Sequence, residues 1–477
     1  MSSRQKFHPL AIANYWIQAI KGWGFLIVLT IINNGLREFF TLIALIAIAV
    51  LTLVYALIKY FTRTYVISPE KIILYHGIFR KKETDIPYDR IQTIKQRQWF
   101  FYKPFNIIQI LIETAGGSKQ EAEGELPAVD ASTLQLLESY RHREPLENET
   151  HTATEATYRV TDEQIFLFGL TDLSILASFA ALSAFGMEFV PDHYFNTAIN
   201  TAEDFFRRGW VVMAGLVGIV FAIIVAISLA KNFFQFYNFN VSRNGQTLTI
   251  ESGLLERKIQ KIPVDKIQGI RIRQQLLRKL LKLSSVEIIL AGGQEQQGEK
   301  STPTKLYFFP IIKDQMLYPT LDELLPEWQM KQPDLTRVST TNLWYFWRWN
   351  VLWLPIIVGS FYFNVYVGAL SLVLTAFFLL YGWLDFRHQG YAIQTNSRLC
   401  LQTFEGLTKI QTFVERPKIQ ALSNHTSKWL YPKQIGHTKL TIKTGVGSET
   451  LQLKFIEQNH QEVLKQFYIH SKSPRVS

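Results

Sequence analysis

Hydrophobic and polar positions follow two different periods along this chain, and the switch between them recurs. Residues 15–32 are apolar apart from Gln18 and Lys21, a polar break fills 33–38, and 39–58 carry no charge at all. Twenty apolar residues span about 30 Å as a helix, the thickness of a bilayer's hydrocarbon layer. The pattern predicts a membrane hairpin over residues 1–62. From residue 63 the period drops to two. Strands are expected at 64–67 and 71–75, joined by a Ser-Pro turn, then at 81–86, 91–98 and 107–114. Gly77 marks a tight turn and Gly116-Gly117 a hairpin. Asp130 is placed to cap a helix over 131–140. Residues 63–143 thus read as antiparallel strands closed by one helix, an α+β arrangement.

The cycle then restarts. A polar, acidic stretch at 144–157 reads as a linker. Residues 158–232 hold two apolar runs, the first interrupted by Asp172 and Glu188, the second (210–230) uncharged. A second β-rich domain is expected over 233–326, its last strand at 305–309 and its helix at 313–325. A linker at 327–341, a third hairpin at 342–386 and a third domain at 387–477 complete the chain, with a helix starting near Glu457.

The β-rich stretches share a motif. Ile86-Pro-Tyr-Asp-Arg-Ile-Gln-Thr-Ile94 returns as Ile262-Pro-Val-Asp-Lys-Ile-Gln-Gly-Ile270, and more weakly as Val414-Glu-Arg-Pro-Lys-Ile-Gln-Ala-Leu422. Gly77 and Gly253 each lie ten residues before Pro87 and Pro263. Gln92 and Gln268 each lie 24 before Gly116 and Gly292, and in the third copy Gly406 lies 14 before Gln420. Matched spacings of this length indicate duplication of one unit.

Composition narrows the picture. Of 477 residues 48% are hydrophobic and 14% aromatic, and the net charge of +11 suits an anionic membrane surface or nucleic acid. A domain tethered beside a bilayer makes lipid the simpler partner, and no nucleic acid is expected. Lys59 and Arg63, Lys231 and Arg387 follow the three hairpins, and Arg4 and Lys6 precede the first. Positive residues stay inside, so termini and domains are expected in the cytoplasm, with Arg207 and Arg208 pulling the other way. The single cysteine, Cys400, excludes an intrachain disulfide.

The strand pair, the Gly turn, the Ile-Pro-x-Asp-Arg/Lys-Ile-Gln run and a strand ending Thr114-Ala-Gly-Gly117 or Leu290-Ala-Gly-Gly293 resemble the bacterial PH-like membrane domains of the YdbS/YdbT family, and the whole chain is similar to its larger, YdbT-type members. In the third copy the Pro has moved to Pro417 and the Asp is absent. The resemblance implies α-helical membrane hairpins with PH-like domains, each a curved antiparallel sheet with a C-terminal helix, used three times. It also implies a smaller YdbS-type membrane partner in the bacterial inner membrane, and a link to protection against membrane-active antimicrobial peptides. It carries over no catalytic residue.

No phosphate-loop, nucleophile-elbow or paired-His metal motif is present, so no enzyme, cofactor or metal is expected. Asp89 and Asp265 recur after the repeated Pro; they read as turn caps or as candidate carboxylate chemistry. Lys21, Asp172, Glu188 and Arg348 lie in or beside the apolar runs, where an ionisable group marks an interhelix pair or a pathway. The segment after the Ile-Gln strand mixes large apolar and basic side chains in every copy: Trp99, Tyr102 and Lys103; Arg278, Lys279 and Lys282, with Arg271 and Arg273 before them; Trp429 and Lys433. Two readings of it are open, contact with headgroups and closure of the domain's own core. Two functions are likewise open: a non-enzymatic scaffold binding lipid, peptide or partner, and an exporter or flippase-like component.

Overall fold

The computed structural model describes residues 4–34, 39–77, 81–114, 124–142, 156–172, 210–290, 305–363, 365–395, 397–444 and 447–469. Around the first motif copy run β1 (Gln5–Lys6), α1 (Ala11–Asn34), α2 (Phe39–Thr62), β2 (Thr64–Ile67), β3 (Lys71–His76), β4 (Lys82–Pro87), β5 (Ile91–Trp99), β6 (Ile107–Thr114), β7 (Gly124–Asp130) and α3 (Ser132–His142). β1–β4 form one antiparallel sheet and β5–β7 lie in another. The two face each other across Ile72, Leu74, Ile86, Ile94, Ile110, Ile112 and Leu126, and Leu137 of α3 closes the end. Asp130 caps α3, its carboxylate accepting from the Ser132 amide at 2.9 Å, which holds that carboxyl below the usual range.

The hairpin does not simply precede this domain. β1 lies before it in sequence and pairs with β2 after it (Gln5↔Tyr65, Lys6↔Thr64). The helices are an insertion between two neighbouring strands, and their feet belong to the soluble core: Ala11, Tyr15 and Ala56 are buried with Phe7 and Tyr65. Lys21 is exposed, with its ammonium 5.5 Å from the Trp99 ring centroid.

The order recurs as β8 (Thr157–Arg159), α4 (Asp162–Leu170), α5 (Trp210–Phe236), β9 (Asn240–Asn244), β10 (Thr247–Ser252), β11 (Glu256–Pro263), β12 (Ile267–Gln275), α6 (Leu276–Leu280), β13 (Leu283–Leu290), β14 (Tyr307–Lys313) and α7 (Asp314–Leu324). It follows again as β15 (Thr336–Arg337), α8 (Leu343–Trp347), α9 (Leu354–Phe363), α10 (Val365–His388), β16 (Gly390–Thr395), β17 (Arg398–Glu405), β18 (Thr408–Glu415), β19 (Ile419–His425), β20 (Ile435–Thr444), β21 (Gly447–Glu457) and α11 (Gln458–Ile469). Glu188, Gly116-Gly117, Gly292-Gly293 and most of the first linker lie outside the described residues.

The sheet order joins the successive motif copies to one another. One seven-stranded sheet runs β7-β6-β5-β11-β10-β9-β8 and a second runs β14-β13-β12-β18-β17-β16-β15. Each crosses from one motif copy to the next through an antiparallel joint, β5 on β11 and β12 on β18. The joints share a register. Arg97, six residues after Ile91, faces Lys258, nine before Ile267; Arg273, six after Ile267, faces Ile410, nine before Ile419. Arg97 also pairs with Glu256 across the first joint at 3.5 Å. The core crosses the second joint, with Ala392, Cys400 and Phe413 packed among the side chains of the middle copy.

Two further expectations change. The apolar run 344–363 is not one helix: residues Arg348–Trp353 form a 3-10 stretch between α8 and α9. Pro355, second residue of α9, has no N–H to give and clashes with the preceding turn, so a continuous α-helix stops before it. The stretch 327–341, read as a linker, is docked. Trp328 and Met330 are buried, the Trp328 and Glu327 carbonyls accept from Arg398, and Thr336–Arg337 is a strand on β16.

Among the described residues, two helices are long and apolar enough to cross a membrane, Phe39–Thr62 and Val367–His388, with mean hydropathy 2.8 and 2.0. Only 17% of either apolar window is buried by the protein. Their exposed Phe, Leu, Ile and Val side chains need an apolar medium that water does not supply.

Gly253 turns β10 into β11 at φ 109°, and a Cβ there would collide with the Glu256 carbonyl oxygen. Its amide donates to the Tyr237 carbonyl at 2.9 Å, tying the turn to the end of α5. Gly253→Val should therefore destabilise the full chain by about 2 kcal/mol or more. Unchanged unfolding of the detergent-solubilised variant would contradict this.

Candidate anion-binding cleft

The segments after β5, β12 and β19 share a backbone shape. Asn106, Lys282 and Gln434, each fifteen residues after the repeated Ile, have left-handed backbone (φ 53°, 56° and 58°). Lys282 thus ends α6 as a turn residue, its amide donating to Lys279 O at 3.2 Å. All three loops expose large apolar groups: Phe100 and Phe105; Leu277, Leu280 and Leu281; Trp429 and Tyr431. Each touches a helix inserted ahead of its sheet, through Lys21 over Trp99, Arg278 over Phe168 at 4.4 Å, and Lys433 over Tyr345 at 5.5 Å.

Several sequence candidates have other work. Tyr102 is fully buried, and its hydroxyl donates to Pro127 O at 3.1 Å, so it closes the core. Trp99 is half-buried and stacks on Phe101, while Lys103 is exposed. Arg278 is buried: Nε donates to Thr171 Oγ1 (3.1 Å), Nη1 to Ser285 Oγ (2.6 Å) and Nη2 to Phe168 O (3.2 Å), which locks α4 onto β13. Arg271 is buried between Glu449 (2.7 Å) and Glu287 (4.0 Å), and Arg273 pairs with Glu287 at 2.9 Å. Asp89 and Asp265 do not cap their turns. Tyr88–Arg90 and Val264–Lys266 are 3-10 turns with no side-chain cap, held down by buried Tyr88 and Val264. Gln268 bridges its turn, its amide donating to Lys266 O at 3.3 Å.

Lys279 is the candidate that the fold places in a site. Beside the second joint lies a cleft of about 560 Å³, lined by α6, β12, β17, β18, the docked 332–337 segment and the last turn of α10. Lys279, Arg337, Arg387 and Lys409 converge there against two carboxylates, Asp314 and Asp334. Asp314 is already engaged, accepting from Gln274 Nε2 (2.8 Å) and Ser284 Oγ (2.6 Å). None of the four cations has a carboxylate within 4 Å among the described residues. Burial first, then the charges of Arg387 and Arg337, holds the Lys279 ammonium below the usual lysine range; burial and Lys279 do the same to Lys409.

His388, stacked on Phe404, orients Lys279. Its Nδ1 lies 2.8 Å from Leu384 O, which can only accept, so Nδ1 carries the proton and Nε2 accepts from Lys279 Nζ at 2.8 Å. Gln411 donates to Gln402, and Gln402 to His388 O, fixing the floor. Lys409, Arg337 and His388 escaped sequence reasoning because they sit on three elements with no shared spacing. Arg387 stood out there only as a hairpin flank. The set is cationic, with Lys409 half-buried and Lys279, Arg337 and Arg387 exposed at the rim, and it offers several N–H donors to one anion.

The PH-like antiparallel sheets agree with the bacterial PH domain family. Residues 23–144 and 176–311 match that family's model, more than half the chain, and the chain belongs to the family. Over 99% of its length it is 24% identical to the UPF0699 transmembrane protein YdbT of Bacillus subtilis (strain 168), covering 99% of that protein. No solved structure matches.

Proposed function

We propose that this chain is a non-enzymatic scaffold of the bacterial inner membrane. Three hairpin-bearing PH-like units stand on its cytoplasmic side, and the cleft at their second joint grips the phosphate of an anionic lipid headgroup. The observation that carries this reading is the convergence of Lys279, Arg337, Arg387 and Lys409, without carboxylate partners within 4 Å among the described residues, at the foot of the apolar helix α10. The exposed Leu280, beside Lys279 on α6, and the exposed Trp429 on the third copy's equivalent loop suit the headgroup layer. Protection against membrane-active peptides would follow from holding anionic headgroups away from cationic peptides.

The test is native mass spectrometry of the detergent-solubilised full chain with short-chain phosphatidylglycerol, short-chain phosphatidylcholine or inorganic phosphate. Phosphatidylglycerol adducts should exceed phosphatidylcholine adducts, and Lys409→Gln should weaken them about tenfold, the loss of one charge-assisted contact of about 1.5 kcal/mol. A bound anion favours the ammonium form, so affinity should fall as pH rises through the lowered range of Lys279 and Lys409. Without anion the sign reverses for stability: between the lowered and ordinary lysine values the unfolded chain binds more protons, and stability rises with pH. Equal binding of both lipids, or binding indifferent to Lys409→Gln, would refute the headgroup reading; capture of inorganic phosphate alone would reassign the cleft to a soluble anion.

A further inference from the structure

The two joints leave the chain with one open half of the same joint at each end. β4 occupies the position that β11 and β18 hold in their sheets, yet among the described residues no strand pairs with its outer edge. β19 occupies the position of β5 and β12, and among the described residues its outer edge has no partner either. Burial follows this difference. Residues 422–427 are exposed except half-buried Leu422, whereas the matching positions of β5 (94–99) and β12 (270–275) are buried or half-buried. On β4, Lys82, Glu83 and Asp85 are exposed, whereas in β18 residues 408–415 are all buried or half-buried.

We infer that β19 of one copy of this chain pairs with β4 of a second copy, in the register of the two internal joints. That register places His425, six residues after Ile419, opposite Lys82, nine before Ile91. It then sets Asn424 against Glu83, Ser423 against Thr84 and Leu422 against Asp85. No pair brings two carboxylates or two lysines together, whereas the first internal joint tolerates Arg97 opposite Lys258. The second copy is the occupant the fold specifies, because each open edge is the complement of the other and both are present on one chain. A copy in the same membrane already stands at the same height with its strands in the same orientation. The contact is head-to-tail, so it propagates into a closed ring or a row.

The test uses two differently tagged full-length chains in one membrane, Glu83→Cys and Asn424→Cys, under mild oxidation. Residues directly opposite in an antiparallel pair have Cβ atoms about 5 Å apart, within disulfide reach. A mixed-tag disulfide should form, and Glu83→Cys with Ser423→Cys, one residue out of register, should give at least tenfold less. Cys400 is buried and sets the background with the unsubstituted chain. Mass photometry of the unsubstituted chain in lipid nanodiscs should show more than one copy. Cross-linking no better than the out-of-register pair, or a single copy in every disc, would overturn the proposal. So would in-register capture of Glu83→Cys by a different, smaller PH-like protein in place of a second copy.

Discussion

A fragment of residues 233–326, cut at the ends that the linkers suggest, should show no cooperative thermal transition, while the full chain in detergent shows one. The cut strips β11 of its six paired positions on β5, and β12 of seven on β18. It also removes Val160, Ile165 and Phe168 from one side of the core and Ala392, Cys400 and Phe413 from the other. A buried aliphatic or aromatic side chain contributes about 1.5–3 kcal/mol. Even at the low end, the four large ones, Val160, Ile165, Phe168 and Phe413, come to about 6 kcal/mol, comparable with the whole stability of a typical domain. Circular dichroism and tryptophan fluorescence on heating decide the matter. A sharp, coincident transition in the fragment would mean that the joints are accessories to independent domains.

Arg278→Met should cost the full chain about 3 kcal/mol. The substitution keeps most of the side chain's length, so the effect isolates the guanidinium. Three acceptors lose their donor at once, Thr171 Oγ1, Ser285 Oγ and Phe168 O, all in a buried setting. Leaving buried acceptors unpaired costs about 1–3 kcal/mol each before relaxation. Thr171 and Ser285 keep their own donated bonds, to Leu167 O and Pro310 O, so the neighbouring backbone is not released and the loss stays at the low end. Arg278→Lys retains a charge but cannot span all three acceptors, and should fall between the two. Denaturant unfolding measures the series; a Met variant as stable as the parent would show that the buried guanidinium contributes nothing net, as replaced buried charges sometimes do.

Much of the sheet was legible in the sequence. Period-two alternation located β2 through β6 within a residue or two, and Gly77 and Gly253 both take the positive φ their spacing suggested (122° and 109°). What escaped was short or lateral. β1, β8 and β15 hold two or three residues, too few to show a period. The joints are hydrogen bonds along strand edges, and side-chain pattern reports faces, not edges. Pro355 did announce the break before α9, but the apolar run around it was read by its length. At the site, an amphipathic basic segment looks alike in sequence whether its cation turns inward, as Arg278 does, or lines a cleft, as Lys279 does.

The joints also set an order of events for a chain made from its N-terminus. β5 waits for a partner about 160 residues further on, and β12 for one about 140 further on. Until then each presents a bare strand edge, the feature that invites wrong pairing. In both intervals the ribosome must also deliver the next apolar stretch before the partner strand emerges. Completion of each sheet is thereby tied to the arrival of the helices inserted within it, and a nascent chain stalled between β5 and β11 would be the form most exposed to aggregation.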